Sequence, residues 1–211
     1  MPRPKQAPKS DVGGRERLLE AALRMFGTKG YAATTVRDIL RAAGVTAPAL
    51  YHHFGSKEGL FLALLNTGGE RLEAAQAEAL ALDGTVVERI RAYCRGSSRV
   101  RREHANLMVI VDSILAGPPE AAPAFDFRGR FQAAVARLER LVLEGISNGE
   151  LRACDPRDAA LALLGTIEMS MRSQVFESAS SAEESLEGML SLILDGLVAH
   201  PGSRPGPLPR A

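Results

Sequence analysis

Apolar residues recur every three to four positions along most of this chain, and very few segments alternate between apolar and polar residues. The first spacing is typical of amphipathic helices and the second of strands. Favourable helix formers, above all Ala, Leu, Arg and Glu, fill the same segments. The pattern therefore predicts an all-α fold of about nine helices, separated by clusters of glycine, proline and serine.

Four predicted helices follow one another in the first third of the chain. The pattern places them at residues 15–28, Val36–Ala43, 47–53 and from Lys57 onward. Gly30 ends the first helix. The inward positions of the second helix are Ile39 and Leu40.

The two short helices in this group carry clear boundary signals. Thr35 is the predicted N-cap of the first of them, and Asp38 stands three residues later, as in a capping box. Gly44 permits a positive φ without a Cβ clash. Thr46 is the next predicted N-cap, and Pro48 falls in the first helical turn, where its missing N–H is harmless. Two short helices joined by a tight turn form a helix-turn-helix.

The remaining helices are longer. The pattern places them at residues 85–101, 104–116, 124–147, 157–176 and 182–199. Ser181 and Glu184 form a second capping-box pattern before the last helix. The segment 104–116 is apolar nearly all round, which predicts an interior helix.

Charge is distributed unevenly along the 211 residues. Residues 1–60 carry a net charge of +5 and the rest carry −4, which gives the overall +1. A basic head on a slightly acidic body is typical of a nucleic-acid-binding protein. Arg3, Lys5 and Lys9 either add non-specific phosphate contacts or form a solubilising tail.

Other classes of protein lack support in the sequence. No apolar run reaches the ~20 residues of a membrane span, and the N-terminus lacks the apolar segment of a secretory signal. We therefore expect a cytoplasmic protein with no membrane partner. Catalytic and cofactor-binding motifs are missing, so we expect no enzyme, no catalytic residues, no metal and no cofactor. Cys94 and Cys154 fit free thiols, with a redox-sensing pair as the alternative.

The helix-turn-helix region contains a longer set of residues in fixed register. The set comprises Gly30-Tyr31, Thr35-Val36-Arg37-Asp38-Ile39, Ala43-Gly44-Val45, Leu50-Tyr51-His52-His53-Phe54 and Ser56-Lys57-Glu58-Gly59-Leu60. These residues resemble the DNA-binding domain of the tetracycline-repressor (TetR/AcrR) family over residues 15–62. The resemblance implies a three-helix N-terminal DNA-binding domain, followed by a helical domain that binds a ligand and forms a homodimer.

The resemblance also implies that the third helix enters the major groove of double-stranded operator DNA. The outward positions of this helix are Ala47, Pro48, Ala49, Tyr51 and His52. Tyr51 resembles the family tyrosine that hydrogen-bonds a backbone phosphate, with a core aromatic as the alternative. Ala47 and Ala49 depart from the polar residues frequent in the family. We therefore expect recognition to depend on thymine methyl groups, His52 and DNA shape.

Four further residues are candidates for contacts with the DNA backbone. They are Thr35, Arg37, Thr46 and Lys57. Lys57 lies in the first turn of its helix, where its charge and the N-terminal N–H groups can hold a phosphate together. The two threonines either only cap their helices or also contact phosphate. Arg37 is either a phosphate contact or a solvent-exposed helix residue.

The predicted domains are a flexible segment at 1–14, the DNA-binding domain at 15–62, the effector-binding and dimerisation domain at 63–200, and a disordered tail at 201–211. The last two long helices carry apolar stripes suited to a four-helix dimer interface. Its candidate residues are Leu161, Leu164, Gly165, Glu168, Met169, Leu186, Met189, Leu190, Ile193, Leu194 and Leu197. The alternative is that both stripes belong to the core of one protomer.

Four residues of the second domain are candidates for an effector site. They are Met108, Asp112, Phe131 and Arg172. Sparse polar side chains among apolar and aromatic ones are typical of small-molecule pockets, which points to a hydrophobic or amphipathic effector. Ordinary core is the alternative, and Glu168 with Arg172 also fits a helix-surface ion pair.

Together these features predict a transcriptional repressor that binds its operator as a dimer and is released by a small molecule. A DNA-binding regulator without a small-molecule pocket, such as an activator, is the main alternative. A protein-interaction module is a further alternative, although it would not need the basic head or an outward Tyr51.

Overall fold

A computed structural model describes residues 12–118, 122–173 and 179–198 of the chain. This part folds into nine α-helices without a β-strand, which confirms the all-α prediction. The helices are α1 (Val12–Ala33), α2 (Val36–Ala43), α3 (Ala47–Phe54), α4 (Lys57–Leu80), α5 (Val86–Glu103), α6 (Ala105–Ala116), α7 (Phe127–Ser147), α8 (Pro156–Ser173) and α9 (Ala179–Leu197). Residues 1–11, with Arg3, Lys5 and Lys9, and the predicted tail at 201–211 lie outside the described residues.

The predicted helices are present, with shifts of a few residues at their ends. Helix α2 has the predicted bounds, and α3 extends by one residue to Phe54. Helix α1 continues to Ala33 across Gly30, whose φ of 78° and ψ of 162° interrupt the helical geometry there. Helix α9 begins at Ala179, so Ser181 lies inside the helix and the second capping-box prediction is wrong.

The described residues form two compact units. The first contains the residues up to Gly69 together with His104–Phe125, and the second contains Glu70–Glu103 together with the residues from Asp126 onward. Helix α4 contributes residues to both units. The predicted domains are continuous stretches of the chain, whereas each unit combines two separate stretches. The predicted domain boundaries therefore stay a prediction.

The core of the first unit fixes α2 and α3 against α1 and α4. Its fully buried residues include Leu18, Ala22, Ile39, Leu50 and Leu60. The rings of Phe26 and Phe61 meet edge to face with their centroids 5.4 Å apart. Burial of each large apolar side chain contributes about 1.5–3 kcal/mol, so this core holds the two short helices at a defined angle.

Helix α6 is not the interior helix that its apolar composition predicts. Leu107 and Ile110 are buried, whereas Val109 is 56% exposed and Leu115 is 63% exposed. Gly68 permits a close approach, because a Cβ at this position would lie 2.3 Å from Leu107 Cδ2. Helix α6 is therefore anchored by one face and open on the other.

The core of the second unit is formed by the end of α4 and by α5, α7, α8 and α9. It includes Val86, Ile90, Tyr93, Leu138, Leu141, Leu163, Leu186, Leu190, Leu194 and Leu197. The last four belong to the α9 stripe predicted for dimerisation. Because the protomer itself buries them, they cannot meet a second protomer, and for these four residues the alternative interpretation holds.

A different face of α8 and α9 is exposed. On α8, Leu161 and Met169 are 37% and 55% exposed, and Gly165 lies between them at helical spacing. On α9, Leu192 is 79% exposed and follows Gly188 by one turn. A Cβ at either glycine would meet nothing within 4 Å. Exposed apolar side chains on both helices therefore lie beside glycines that leave room for a close approach by another helix.

Candidate nucleic-acid interface

A buried threonine fixes the turn between α1 and α2. The hydroxyl of Thr34 shares its proton between the carbonyl oxygens of Gly30, at 2.7 Å, and Met25, at 3.1 Å. Gly30 adopts a positive φ that residues with a Cβ rarely adopt. The turn therefore sets where α2 begins relative to α1.

A complete capping box begins α2, as the spacing of Thr35 and Asp38 predicts. The N–H of Asp38 donates to Thr35 Oγ1 at 3.2 Å. The hydroxyl and N–H of Thr35 both donate to Asp38 Oδ2, at 2.8 and 3.2 Å. The hydrogen bond from the hydroxyl, followed by that from the N–H, lowers the pKa of Asp38 below its ordinary value. The Thr35 hydroxyl is therefore committed as a donor within the protein.

The turn between α2 and α3 has the predicted glycine geometry. Gly44 adopts φ 63° and ψ 36°, and its N–H donates to the carbonyl oxygen of Leu40 at 3.0 Å. Ile39 and Leu50 are fully buried on either side of the turn, while Leu40 is only half-buried. The pair of buried residues locks the two helices together from within.

Thr46 begins α3 in an N-cap conformation, but its side chain makes no capping hydrogen bond, so this part of the prediction is wrong. The reason is the sequence that follows. Pro48 has no N–H to donate, and Ala49, three residues after Thr46, has no side chain to complete a capping box as Asp38 does for Thr35. The exposed hydroxyl of Thr46 is therefore left at the surface beside the start of α3.

The outer face of α3 carries the predicted contact residues. Tyr51 is 53% exposed, Pro48 and His52 are also exposed, and Ala47 and Ala49 are half-buried. The exposure of Tyr51 excludes a role as a core aromatic. The neighbouring helix α2 presents an exposed Arg37.

Lys57 is directed into the protein rather than away from it. Its Nζ donates to the carbonyl oxygens of Tyr31 at 3.0 Å and Thr34 at 2.9 Å. The same ammonium lies 4.1 Å from the centroid of the Tyr31 ring, a cation–π contact. Burial lowers the pKa of Lys57 below its ordinary value. The lysine therefore ties the start of α4 to the turn before α2, a role that sequence reasoning missed because its partners lie far away in the chain.

The junction between α3 and α4 depends on a glycine. The N–H of Gly59 donates to Ser56 Oγ at 2.9 Å, so Ser56 caps α4 as predicted. A Cβ at Gly59 would lie 2.0 Å from the backbone carbonyl oxygen of Phe54. Only a residue without a side chain permits the last turn of α3 to approach α4 this closely.

The predicted effector residues fall in different places. On α6, in the first unit, Met108 is half-buried and Asp112 is exposed. In the second unit, Phe131 is 53% exposed, and Arg172 pairs with Glu168 at 3.5 Å across one helical turn. For Arg172 the helix-surface ion pair is therefore the interpretation that the geometry supports.

A shallow cavity of about 400 Å³ opens in the second unit beside the start of α8. It is lined by Arg152, Cys154, Asp155, Asp158, Ala159, Ala162, Ile193, Gly196 and Leu197, and by none of the predicted effector residues. Cys94 is fully buried elsewhere in this unit, and burial raises the pKa of its thiol to about 12. Burial also raises the pKa of Cys154, so the thiolate form is disfavoured at both cysteines.

The described ranges hold neither a metal-ligand cluster nor a membrane-spanning helix. No cluster of His, Cys, Asp and Glu side chains suited to a metal ion occurs among these residues. No helix in the described part is long and apolar enough to cross a membrane.

Two family models match this chain over more than half of its length. Residues 18–64 match "Bacterial regulatory proteins, tetR family", and residues 83–172 match "Tetracyclin repressor-like, C-terminal domain". The first match spans the buried frame and exposed face of α3 described above. The second spans most of the helices of the second unit.

Several known regulators are similar to this chain over most of its length. The transcriptional regulator BetI of Rhizobium meliloti (strain 1021) is 32% identical and covers 88% of both chains. The repressor KstR2 of Mycolicibacterium smegmatis is 27% identical over 93% of this chain and 97% of its own. The crystal structure of the TetR-family regulator PfmR from Thermus thermophilus superposes with a TM-score of 0.70 at 28% identity, covering 85% of this chain and 97% of that one.

Three observations indicate the same family: the helix-turn-helix geometry, the two family models and the relatives that match most of the chain. The family consists of transcriptional regulators rather than enzymes. This chain belongs to the TetR family of bacterial transcriptional regulators.

Proposed function

We propose that this chain is a homodimeric transcriptional repressor that binds operator DNA through α3 and is released by a small organic effector. The observation that carries the proposal is the outer face of α3, where Tyr51 and His52 are exposed. Leu50, on the inner side of the same helix, is fully buried and fixes this orientation. A helix presented in this way fits the major groove of B-DNA, which is about 12 Å wide.

The contacts of each side chain support a division of roles at the DNA. Tyr51 and Thr46 have exposed hydroxyl groups at the two ends of the α3 face, suited to backbone phosphates. At Thr35 the hydroxyl is engaged in the capping box, so the first N–H groups of α2 are the donors left for a phosphate there. Arg37 is exposed and adds positive charge. Lys57 acts as a positioning residue, because its ammonium binds backbone carbonyls.

Dimerisation would use the exposed apolar face of α8 and α9. One helix-turn-helix reads too few base pairs for a specific site in a genome, and a two-fold dimer reads two half-sites. Leu161, Met169 and Leu192 supply apolar area on this face, and Gly165 and Gly188 permit close approach. The buried leucines of α9 support this face from behind.

Effector release would act through α4. This helix contributes residues to both units, and its first residue binds the turn that precedes α2. A ligand that favours a different position of the second half of α4 would therefore shift the helix-turn-helix. A coupling free energy of roughly 1–3 kcal/mol is sufficient for a clear switch. The naming of the M. smegmatis relative as a repressor supports repression.

The proposal is tested by fluorescence anisotropy with labelled DNA from upstream of the chain's own gene. We expect specific binding by the wild type, binding weakened about tenfold by Tyr51→Phe through loss of one phosphate hydrogen bond, and release by at least one small molecule. Specific binding that no compound alters would support a regulator without an effector. Binding that is equal for operator and unrelated DNA would overturn the repressor assignment.

A further inference from the structure

Arg137 on α7 differs from the other half-buried arginines of the second unit. Five of these pair with a carboxylate, at distances from 2.5 to 3.9 Å: Arg89, Arg91, Arg101, Arg102 and Arg130. Arg137 forms no ion pair with any residue in the described part of the chain. Its half-buried guanidinium is partly shielded from water, so an anion that reached it would form a charge-assisted pair.

Arg137 is hydrogen-bonded to a buried pair of neutral side chains. Arg137 Nη1 donates to Gln76 Oε1 on α4 at 3.1 Å. Gln76 Nε2 donates in turn to Ser97 Oγ on α5 at 3.4 Å. Only 3% of Gln76 and 2% of Ser97 are exposed. A single amide oxygen thus accepts from a guanidinium that has five N–H groups to donate.

A buried phenol without an acceptor belongs to the same cluster. Tyr93 precedes Ser97 by one turn of α5 and is fully buried. Its hydroxyl makes no hydrogen bond of good geometry to the described residues, and the nearby Arg137 side chain can donate to it but cannot accept from it. Burial raises the pKa of Tyr93 to about 12, although Arg137 acts in the opposite direction. The phenol therefore stays protonated and is available as a donor.

The cluster has donors in excess and apolar neighbours. A carboxylate is an acceptor-only group that a guanidinium binds with two parallel hydrogen bonds. Val135 and Leu138 on the same helix as Arg137 are buried in the core cluster that also contains Tyr93. These surroundings suit the body of an amphipathic organic acid rather than an inorganic anion.

We infer that the effector of this regulator is an organic acid whose carboxylate pairs with Arg137 and accepts a hydrogen bond from Tyr93. This inference rests on the proposed function and names the chemical class of its ligand. The carboxylate replaces Gln76 as the acceptor for Arg137. Because Gln76 lies on α4 and Arg137 on α7, this exchange releases a link between the two helices and frees α4 to move.

The test compares acids with their neutral amides on the full-length protein. Thermal shift and calorimetry are run with sodium hexanoate, decanoate and phenylacetate, each against its own primary amide. We expect at least one acid to bind and to raise the melting temperature, with affinity at least about tenfold above that of its amide because a charge-assisted pair is lost. Failure of every acid to bind, or equal binding of acid and amide, overturns the inference.

Variants on α7 test which residue causes the preference for the acid over its amide. Arg137→Gln should abolish the preference for acid over amide, and Arg137→Lys should retain it at lower affinity because the charge remains. Arg140→Gln is the matched control, since Arg140 is exposed and donates to a carbonyl of its own helix. A preference that survives Arg137→Gln overturns the assignment, and so does one lost equally in Arg140→Gln.

Operator binding is measured separately on the same preparations. Acid binding by a protein that recognises no operator would overturn the proposed function and leave this site in place. Operator binding that persists while no acid binds would overturn only the carboxylate inference.

Discussion

Thr35 and Thr46 occupy corresponding N-cap positions on successive helices, yet only the hydroxyl of Thr35 caps its helix. The difference comes from the residues that follow each threonine. Asp38 supplies both a donor and an acceptor to Thr35, whereas Ala49, at the same position after Thr46, has no side chain that can accept and Pro48 has no N–H to donate. The threonines alone predict two caps, and the residues after each one decide which hydroxyl forms a capping bond.

Removal of the two hydroxyl groups should therefore have opposite effects. Thr35→Val should lower the stability of the protein by about 1 kcal/mol through loss of the cap, as measured by thermal unfolding. Thr46→Val should leave the melting temperature unchanged and weaken operator binding in anisotropy titrations. Loss of stability in Thr46→Val would contradict the assignment of its hydroxyl to DNA.

Lys57 shows how a residue can be found by its motif and still be misinterpreted. The sequence places it at the start of a helix, where a phosphate contact is reasonable. The orientation of its side chain is set by hydrogen bonds to the carbonyl groups of Tyr31 and Thr34. No local sequence pattern reveals these partners.

Lys57→Met should lower stability by about 1–3 kcal/mol, because two charge-assisted hydrogen bonds are lost. Operator affinity should fall as well, since the turn before α2 is released. The salt dependence distinguishes positioning from phosphate contact: the slope of log K against log salt should remain that of the wild type. A slope reduced by about 1 would mean that Lys57 neutralises a phosphate. Arg41→Gln, an exposed substitution on α2, serves as the surface control.

Among the helices, α2, α3 and the start of α4 are predictable from sequence because their boundaries are set by neighbouring residues. Glycine, proline and capping side chains act within four positions of each boundary. The placement of α6 is different. Its apolar composition suits a buried helix, but Gly68 and Leu107 anchor one side only. This anchoring depends on a contact between residues that are far apart in the chain, so no local pattern predicts it.

The close approach of α3 to α4 makes Gly59 a sensitive position. Gly59→Ala should destabilise the protein by about 1–3 kcal/mol, because the new Cβ would meet a backbone oxygen that cannot move alone. Operator binding should be lost with it. Gly13→Ala in α1 is the matched control, since a Cβ there meets nothing within 4 Å, and it should be neutral or stabilising. Equal stability of the two variants in chemical denaturation would contradict this view of the junction.

On the scale of the whole molecule, the protomer leaves apolar side chains of α8 and α9 exposed at Leu161, Met169 and Leu192. Helical periodicity identifies apolar stripes on both helices, but it cannot tell which stripe the protomer buries. Leu190 and Leu192 are two residues apart, yet one is fully buried and the other is 79% exposed.

Leu192→Asp should dissociate the dimer, because it places a charge in the apolar contact. Light scattering after size-exclusion chromatography would report the mass of a monomer. Leu143→Asp on α7 is the control, since Leu143 is also exposed, at 45%, but lies outside this face. Dimers that persist in Leu192→Asp, or that dissociate only in Leu143→Asp, would place the interface elsewhere.

The most direct test of the whole account is native mass spectrometry of the protein with DNA from upstream of its own gene and with a shuffled duplex, at two salt concentrations. We expect two protomers, or a multiple of two, on the upstream duplex. We also expect a preference over the shuffled duplex of about 10³ or more and weaker binding at higher salt. A single protomer per duplex, or equal binding to both duplexes by the folded protein, would contradict these expectations.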